Sequence, residues 1–453
     1  MTTIVWLRDD LRIADNPALR AAVDRGSDVI PVYLLDEVSP GIRPLGGASR
    51  WWLHQSLADL GARLADLGSP LVLRRGAAAT VIPELVAETG ADAVMWNRRY
   101  GGAEREIDTA LKASLREEGV VAESHAASLL FEPWTIRTGS GTPYSVFTPF
   151  WRACRAEPAP REPLAAPREI TGPAARVASD DLDSWELEPT RPDWAGGLRE
   201  SWTPGEESAA GRLLAFLDDD LGDYDDGRDT PSADVTSRLS PHLRFGEISP
   251  HQIWHEAIHR SGSAKFLSEL GWREFAWHVL FHFPDLATKN WRSEFDAFPW
   301  PPLDDDALAA WQQGRTGYPM VDAGMRELWH TGIMHNRVRM IVASFLMKNL
   351  LIDWREGEQW FWDTLVDADT AANAFNWQWV AGSGADAAPY FRVFNPELQA
   401  KKFDPQGAYI THWVPEYASD SLTPPAEPIV DLGESRRAAL AAYDRVKRAP
   451  SSD

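Results

Sequence analysis

The sequence predicts a chain of two parts, an N-terminal α/β domain with a parallel sheet and a C-terminal all-α domain. Over roughly the first 124 residues, apolar β-type runs alternate with amphipathic helical stretches, which indicates βαβ units. After a proline-rich stretch, apolar residues recur at three- and four-residue spacing without sustained alternation. The length of 453 residues suits two or three hydrophobic cores.

Buried strands are predicted at four places in the first domain. They are the apolar runs Ile4–Leu7, Val29–Leu34, Leu71–Leu73 and Ala93–Trp96. Helices are expected at Trp51–Leu67 and Glu104–Leu115, where the pattern is amphipathic. The loop after the first strand, Arg8–Arg12, lacks a glycine-rich fingerprint. A dinucleotide bound in the usual Rossmann manner is therefore not expected in this domain.

The domain boundaries follow from the prolines and from the change of period. Five prolines between residues 155 and 175 indicate a surface linker. We place the α/β domain at residues 1–128, the interdomain linker at 129–198 and the helical domain at 199–450. Thr203-Pro204-Gly205-Glu206 predicts a capping box with proline at the first position of a helix. Further helices are predicted at residues 252–258, 265–282, 324–329, 336–350 and 359–365.

Composition excludes several classes of protein. The single cysteine, Cys154, leaves no intrachain disulfide and no four-thiolate metal cluster, and we expect no metal. A net charge of −22 argues against a generally basic nucleic-acid binder, so DNA contact would need a local basic face. No export signal is recognisable, and no apolar run reaches the roughly 18 residues of a membrane span. We expect a cytoplasmic, monomeric protein without membrane contact.

The C-terminal half combines indole rings with polar motifs. Three of the 22 tryptophans, Trp300, Trp354 and Trp377, lie in this part of the chain. The polar motifs that accompany them are Met334–Met340, Asp353–Glu358, Asp367–Asn373 and Asn376–Trp379. Tryptophan alone usually means core packing. A simple core does not need so much indole beside so much polar chemistry, and the run is typical of a redox relay.

These motifs, in this order, resemble the photolyase and cryptochrome flavoprotein family. The resemblance runs from Trp6–Arg12 to Phe394–Pro396 and is closest to bacterial enzymes that repair cyclobutane pyrimidine dimers (CPDs). It implies a Rossmann-like α/β domain that holds an antenna chromophore, a long linker and a helical domain that binds FAD. It also implies the reaction of a carbon–carbon lyase, in which excited, reduced FAD donates an electron that splits the dimer in UV-damaged DNA.

The resemblance implies a set of FAD-binding residues. Thr236–Ser240 would receive the diphosphate with hydroxyls and backbone N–H groups, although the pattern by itself is only a good helix cap. Asn373 matches the residue that faces flavin N5. Photolyases characteristically carry asparagine there, whereas plant cryptochromes carry an acid and insect ones a thiol. The implied residues are Tyr224, Thr236, Ser237, Arg238, Leu239, Ser240, Arg339, Asp367, Asp369 and Asn373.

A second implied set holds the lesion. Glu269 and Asn336 would hydrogen-bond the dimer, Trp272 and Trp379 would flank it, and Met340 would pack beneath it. The (6-4) photolyases carry histidine at the positions of Asn336 and Met340, so the CPD is favoured. The implied contacts to phosphates of the damaged strand are Arg337, Arg392 and Lys402, which would supply the local basic face.

The tryptophans divide by role under this resemblance. Trp377, Trp354 and Trp300 match the chain that photoreduces the flavin, so the implied catalytic residues are these three with Glu269 and Asn336. Trp311 is interpreted as structural. Phe375 departs from the family pattern, in which glycine or alanine is usual.

The antenna and the function each leave an alternative. Glu104 matches a carboxylate that holds 5,10-methenyltetrahydrofolate in some members, but an acid near a helix N-terminus is also common for stability alone. The main alternative function is a cryptochrome-type blue-light photoreceptor without repair activity. Asn373, the complete lesion set and the short tail after Lys402 favour repair. A (6-4) or iron–sulfur photolyase is disfavoured by the missing histidines and the single cysteine.

Overall fold

A computed structural model describes residues 1–387, 391–418 and 420–448. Its first domain contains a five-stranded parallel sheet with strand order β3-β2-β1-β4-β5. The strands are β1 (Thr2–Leu7), β2 (Asp28–Leu35), β3 (Val72–Arg75), β4 (Ala93–Asn97) and β5 (Val121–His125). The predicted fold class is confirmed. The sequence prediction missed β5, an edge strand whose run Val-Ala-Glu-Ser-His alternates and buries only Ala122.

Helices cover both faces of this sheet. They are α1 (Pro17–Asp24), α2 (Gly47–Asp66), α3 (Ala78–Thr89) and α4 (Gly102–Glu117). Alternate residues of β1 face opposite sides, as the two-residue period of a strand requires. Val5 and Leu7 pack in the core that contains Trp52 of α2. Ile4 and Trp6 pack in the core with α3 and α4.

The connection between the domains returns to the α/β domain and packs on it. It contains α5 (Phe147–Cys154), a 3₁₀ turn at Leu182–Trp185 and α6 (Gly196–Ser201). The Val29 N–H donates to the Thr171 carbonyl at 2.8 Å, and the Ile170 N–H donates to the Leu67 carbonyl at 2.7 Å. The proline-rich stretch is therefore fixed to the first domain by backbone hydrogen bonds.

The second domain is helical throughout its described residues. Its helices are α7 (Glu206–Ala215), α8 (Tyr224–Gly227), α9 (Ser240–Arg244), α10 (Pro250–Ala257), α11 (Ser263–His282), α12 (Asp305–Gln312), α13 (Pro319–Thr331), α14 (Asn336–Lys348), α15 (Trp354–Thr364), α16 (Ala372–Ala381), α17 (Pro396–Phe403), α18 (Ala408–Trp413) and α19 (Leu432–Val446). Helix α14 packs against α13, α15 and α16, and α11 packs against α16. Within the described ranges, no helix is long and apolar enough to cross a membrane.

The predicted capping box at residues 203–206 is wrong. Helix α7 begins at Glu206, and its N-cap is Gly205 with φ of 120°, without a side-chain cap. The Glu206 carboxylate instead accepts hydrogen bonds from the backbone N–H groups of Ile13 and Ala14, both at 2.8 Å, and pairs with Arg63 at 2.6 Å. The local sequence assigns Glu206 to a capping box, but in the structure its carboxylate binds residues of the α/β domain instead.

Candidate active site

The helical domain encloses a cavity of about 970 Å³. Its walls come from α11, α14, α16 and the segment before α9. Predicted residues that line it are Tyr224, Thr236, Ser237, Arg238, Leu239, Ser240, Glu269, Trp272, Asn336, Arg337, Arg339, Met340, Asp367, Asp369, Asn373, Trp377, Trp379 and Arg392. The fold thus places residues implied to bind the cofactor and residues implied to bind the lesion around one cavity.

An ion pair with a buried carboxylate forms part of the cavity wall. Arg339 Nη2 lies 2.9 and 3.1 Å from the two carboxylate oxygens of Asp367, and Arg339 Nε donates to the Met334 carbonyl at 2.7 Å. A buried carboxylate needs such a partner, because its desolvation is otherwise costly. Nearby, Asp369 accepts from the N–H groups of Ala371 and Ala372. Burial raises the pKa of Asp369.

Asn373 has a defined side-chain orientation. Its amide nitrogen donates to the Glu358 carbonyl oxygen at 3.0 Å and to Glu358 Oε1 at 2.8 Å. Because only the NH₂ end of the amide can donate, these two acceptors fix which end is which. Asn373 lines the cavity and its NH₂ group is taken by Glu358, so the amide oxygen is the polar group that it can offer to a ligand there.

The segment before α9 brings small hydroxyls to the other side of the cavity. Thr236, Ser237 and Ser240 line it, and Arg238 adopts a left-handed conformation with φ of 49°. Non-glycine residues adopt this conformation infrequently, and such residues are enriched at functional sites. Tyr224 lies on the same wall, where burial raises its pKa to about 12.

These features fit a flavin dinucleotide. The volume is at the upper end for ligand pockets, as an extended ligand with a substrate beside it requires. One wall carries hydroxyls and a cation suited to a diphosphate, and another carries the Arg339–Asp367 pair and a polar amide suited to the edge of a flavin ring. The residues present therefore provide complementary chemistry for both ends of FAD.

Glu269 is paired with two cations at the cavity. Its Oε1 lies 2.5 Å from Arg228 Nη1 and 3.0 Å from Lys265 Nζ. Burial alone would lower the pKa of Arg228, but the hydrogen bond from Arg228 to Glu269 and the surrounding negative charges raise it. The Glu269 carboxylate is therefore oriented by two cations, Arg228 and Lys265, which line the same cavity.

Two aromatic residues of the implied lesion set, Trp272 and Trp379, line the cavity. Trp272 stacks on Phe147 with ring centroids 3.8 Å apart and an interplanar angle of 12°. Trp379 is oriented by its indole N–H, which donates to the Asp386 carbonyl at 3.0 Å. Phe375 packs 6.3 Å from Trp272 and also lines the cavity. Phe375 is 3% exposed and belongs to the hydrophobic core beside the cavity, so it fills core volume as well as lining the cavity.

His335 sets the start of α14. Its Nδ1 accepts the backbone N–H of Arg337 at 3.2 Å, so it is the N-cap of the helix that carries Asn336 and Met340. Burial lowers the pKa of His335 to about 4, which keeps the ring neutral and Nδ1 available as an acceptor. Asn336 thereby stands at the first position of α14, facing the cavity.

The predicted phosphate contacts occupy two neighbouring places. Arg337 lies with Cζ 4.6 Å from the ring centroid of Phe403, and Lys402 Nζ lies 4.8 Å from the same centroid. Arg337 also pairs with Asp229 at 2.6 Å. Arg392 lines the cavity, whereas Lys402 is exposed on α17 and is not among its lining residues.

The three tryptophans predicted to carry electrons line two different pockets. Trp377 lines the cavity, and α15 approaches it so closely at Gly357 that a Cβ there would clash with the indole ring. Trp354 is 1% exposed, with its N–H donating to Asn290 Oδ1 at 3.0 Å. Trp300 and Trp354 line a second, smaller pocket together.

Trp311 packs against the first member of this series. It is fully buried, donates its N–H to the Val342 carbonyl at 3.1 Å and lies with its ring centroid 6.3 Å from that of Trp377. Its environment is that of a core residue, although it contacts Trp377 directly.

Glu104 lies apart from this cavity. It is in the first turn of α4 in the α/β domain and is not among the cavity-lining residues. Its carboxylate folds back over Gly101, where an added Cβ would clash with it. This is the position of an acid that stabilises a helix N-terminus.

Several residues at the cavity were not predicted from the sequence. They are Arg228, Lys265, Arg273, His335 and, behind Asn373, Glu358. The spacing of Lys265 and Glu269 on one helix face could have identified Lys265. Glu358 reaches Asn373 only because α15 packs on α16, a tertiary contact without a local sequence signal.

Family models match most of the chain. The model described as DNA photolyase matches residues 3–168, and the model described as FAD binding domain of DNA photolyase matches residues 266–445. Among curated proteins, the chain is 50% identical to a deoxyribodipyrimidine photo-lyase of Agrobacterium fabrum, covering 98% of each chain. It is 39% identical to Cryptochrome-2 of Arabidopsis thaliana, covering 92% of this chain and 71% of the relative.

Solved structures agree with these matches. A bacterial class III photolyase from Agrobacterium tumefaciens superposes with a TM-score of 0.95 at 49% identity, covering 99% of this chain and 98% of the other. A cryptochrome from Synechocystis sp. superposes with a TM-score of 0.87 at 30% identity, covering 97% of this chain and 99% of the other.

Proposed function

Because the chain belongs to the DNA photolyase family, we propose that it works as a deoxyribodipyrimidine photo-lyase, an FAD-dependent enzyme that splits CPDs in UV-damaged DNA. The observation that carries this proposal is one cavity lined by both sets of side chains. Glu269, Asn336 and Trp272 line the same 970 Å³ space as Arg339 and Asn373. A light sensor without a substrate has no need for the first set.

FAD would be held between the hydroxyls of Thr236–Ser240 and the Arg339–Asp367 pair, with Asn373 facing flavin N5. Bound FAD supplies light absorption and the electron that splits the dimer. The protein's own part is binding, orientation and electrostatics. The buried wall around Asp369 and Asn373 would exclude water from the flavin edge and keep the neutral amide in place.

The lesion would enter the slot between Trp272 and Trp379. A dimer is already poorly stacked in its strand, so extruding it costs less than extruding a normal base. Apolar ring faces then replace the lost stacking, by about 1–3 kcal/mol for each base. Glu269 and Asn336 would hydrogen-bond the polar edge of the pyrimidines, where negative charge develops when the electron arrives.

DNA binding would depend on Arg337, Arg392 and Lys402. The net charge of −22 repels a polyanion, so phosphate contacts must be concentrated at the cavity mouth. Support comes from the shared position of Arg337 and Lys402 on the Phe403 ring, beside the α14 helix that carries Asn336.

Trp377, Trp354 and Trp300 would carry electrons from the protein surface to the flavin, to restore its reduced state. Trp377 lies at the cavity, Trp354 is buried and Trp300 is partly exposed, so the series leads from inside outward. Trp311 would serve the core around Trp377.

An antenna and the cellular setting complete the proposal. Glu104 would hold a 5,10-methenyltetrahydrofolate at the α/β domain. We further propose that the protein acts as a monomer in the cytoplasm, since its substrate is a strand of cellular DNA that one cavity can accommodate.

The competing function is a blue-light photoreceptor, because cryptochromes share the fold. An illumination experiment with three oligonucleotides separates the two: one with a CPD, one with a (6-4) product and one undamaged. The lyase should restore only the CPD strand, and only in light. Flavin photochemistry without restoration of either lesion would support the photoreceptor.

A further inference from the structure

The loop after β2 reaches across the domain interface and contacts α15. The Trp362 indole N–H donates to the Pro44 carbonyl at 2.8 Å, and the Gly47 N–H donates to Asp363 Oδ1 at 2.8 Å. A side chain at Gly46 would clash with the Trp362 carbonyl, so the two segments are in direct backbone contact. This loop belongs to the α/β domain, yet it touches the helix behind the flavin wall.

Arg43 is the charged residue of this contact. Its Nη1 and Nη2 lie 2.7 and 2.9 Å from the two oxygens of the Glu358 carboxylate, in the two-pronged arrangement that guanidinium and carboxylate favour. Nη2 also donates to Gln359 Oε1 at 2.7 Å, and Cζ lies 4.1 Å from the ring centroid of Trp362. The Glu358 side chain is 5% exposed, so the carboxylate is largely removed from water, whereas Arg43 is 26% exposed.

One carboxylate oxygen connects the two domains to the cavity. Glu358 Oε1 accepts from Arg43 Nη1 at 2.7 Å and from Asn373 Nδ2 at 2.8 Å. Holding a buried carboxylate in the orientation that Asn373 needs requires a fixed counter-charge. Arg43 supplies it from the other domain.

Resting on the proposed function, we infer that Arg43 is a positioning residue for the flavin, acting through Glu358 on Asn373. With its NH₂ group held by Glu358, Asn373 would present its amide oxygen to N5 of bound flavin. In oxidised flavin N5 is an acceptor, and an oxygen beside it is unfavourable. In fully reduced flavin N5 carries a hydrogen, which this oxygen would accept. The Arg43–Glu358–Asn373 chain therefore favours the reduced state that the lyase needs.

The prediction concerns the midpoint potential of bound FAD, measured by redox titration of the full-length, FAD-containing protein. Arg43→Gln should lower the potential, because the amide is less firmly oriented. The preference for reduced over oxidised FAD should fall about two- to tenfold, the range that one hydrogen bond contributes. The midpoint potential of Arg43→Lys should lie between those of the unaltered protein and Arg43→Gln. Lysine keeps the positive charge but cannot bind both carboxylate oxygens of Glu358 in the two-pronged arrangement.

The matched control is Arg50→Gln. Arg50 pairs with Glu37 within the α/β domain and has a similar side-chain exposure, 24% against 26% for Arg43. Its loss should leave the potential unchanged. In an Asn373→Ala background, the effect of Arg43→Gln should vanish, because the amide through which Arg43 acts is absent.

Two results would overturn the inference: an unchanged potential in Arg43→Gln, or a shift that persists undiminished in the Asn373→Ala background. If Arg43→Gln does not fold, the same comparison is made with Arg43→Lys. A parallel repair assay on the unaltered protein separates this inference from the proposed function. Failure to repair CPDs would refute the lyase, while the potential shift would still establish the coupling.

Discussion

The Glu269 carboxylate lies 2.5 Å from Arg228 Nη1, and this ion pair connects α11 to the C-cap of α8 in the cavity wall. Lys265 adds a second cation at 3.0 Å. The residue proposed to bind the lesion therefore also neutralises two cations that would otherwise attract any phosphate. Under the proposed function, Glu269 would bind the lesion and would also weaken the attraction of undamaged DNA to Arg228 and Lys265.

Glu269→Ala should change the two affinities in opposite directions. Affinity for a CPD strand should fall about tenfold or more, as expected for a hydrogen bond to a charged group. Affinity for undamaged DNA should rise, because Arg228 and Lys265 lose their partner. Fluorescence anisotropy with both strands measures the ratio. The control is Glu294→Ala, which removes a carboxylate of similar exposure paired with Arg292 and should change neither affinity. An unaltered ratio of the two affinities in Glu269→Ala would show that Glu269 does not bind the lesion.

Lys402→Ala should weaken binding by the same factor on damaged and undamaged strands. The slope of log affinity against log salt should become shallower by about one, since one phosphate contact is lost. Affinities measured across a salt series test this. Lys447, an exposed lysine that is the C-cap of α19 and pairs with Asp444, serves as the control. An unchanged slope in Lys402→Ala would show that this lysine does not contact DNA.

Trp354→Phe should slow photoreduction of oxidised FAD at least about tenfold, because a phenyl ring is much harder to oxidise than indole and the hydrogen bond to Asn290 is lost. Repair by chemically reduced protein should stay at the unaltered level. The rate of photoreduction is measured from the flavin absorbance under blue light in the presence of an external reductant. Trp254→Phe is the control, since Trp254 is buried against Trp151, outside the series from Trp377 to Trp300. Equal photoreduction in both variants would contradict the assignment.

Lys348 should make stability depend on pH. It is buried, and burial lowers its pKa to about 7, while its ammonium donates to the carbonyls of Val380 and Arg392. The unfolded chain keeps a lysine pKa near 10.4 and so binds more protons between about pH 7 and 10. Stability therefore rises with pH across this window, by up to about 1.4 kcal/mol per pH unit from this group, and is lost as the pH falls toward 7.

The comparison variant is Lys348→Met, which keeps the volume and removes the titration. Urea midpoints of the two proteins, followed by release of FAD fluorescence, should diverge as the pH rises from about 7 to 10, with the unaltered protein gaining. Parallel pH profiles would show that Lys348 titrates alike in folded and unfolded chains.

The periodic parts of the fold could be predicted from the sequence, because buried strands and amphipathic helices record their environment in residue spacing. β1 to β4 and α11 are of this kind. β5 could not, since an edge strand buries too little to produce an apolar run. The start of α7 at Glu206 could not be predicted either, because the Glu206 carboxylate binds backbone N–H groups of the α/β domain instead of capping its own helix.

At the site, the family motifs located the side chains that line the cavity but not those that orient them. Arg228, His335 and Glu358 act on predicted residues through tertiary contacts. Arg43 lies more than 300 positions from Glu358 in sequence, as the separation of 315 between them shows. No local sequence pattern predicts a pairing over such a distance, so the Arg43–Glu358 contact could be identified only from the folded structure.

The most direct test of the central claim is light-dependent recovery of pyrimidine absorbance by a CPD-containing single strand mixed with FAD-reduced protein. Absorbance should rise in blue light and stay constant in the dark, and a Glu269→Ala, Asn336→Ala double variant that retains FAD should lose most of the recovery. No recovery by unaltered protein with its FAD bound and reduced would contradict the account, and full recovery by the double variant would contradict the lesion site.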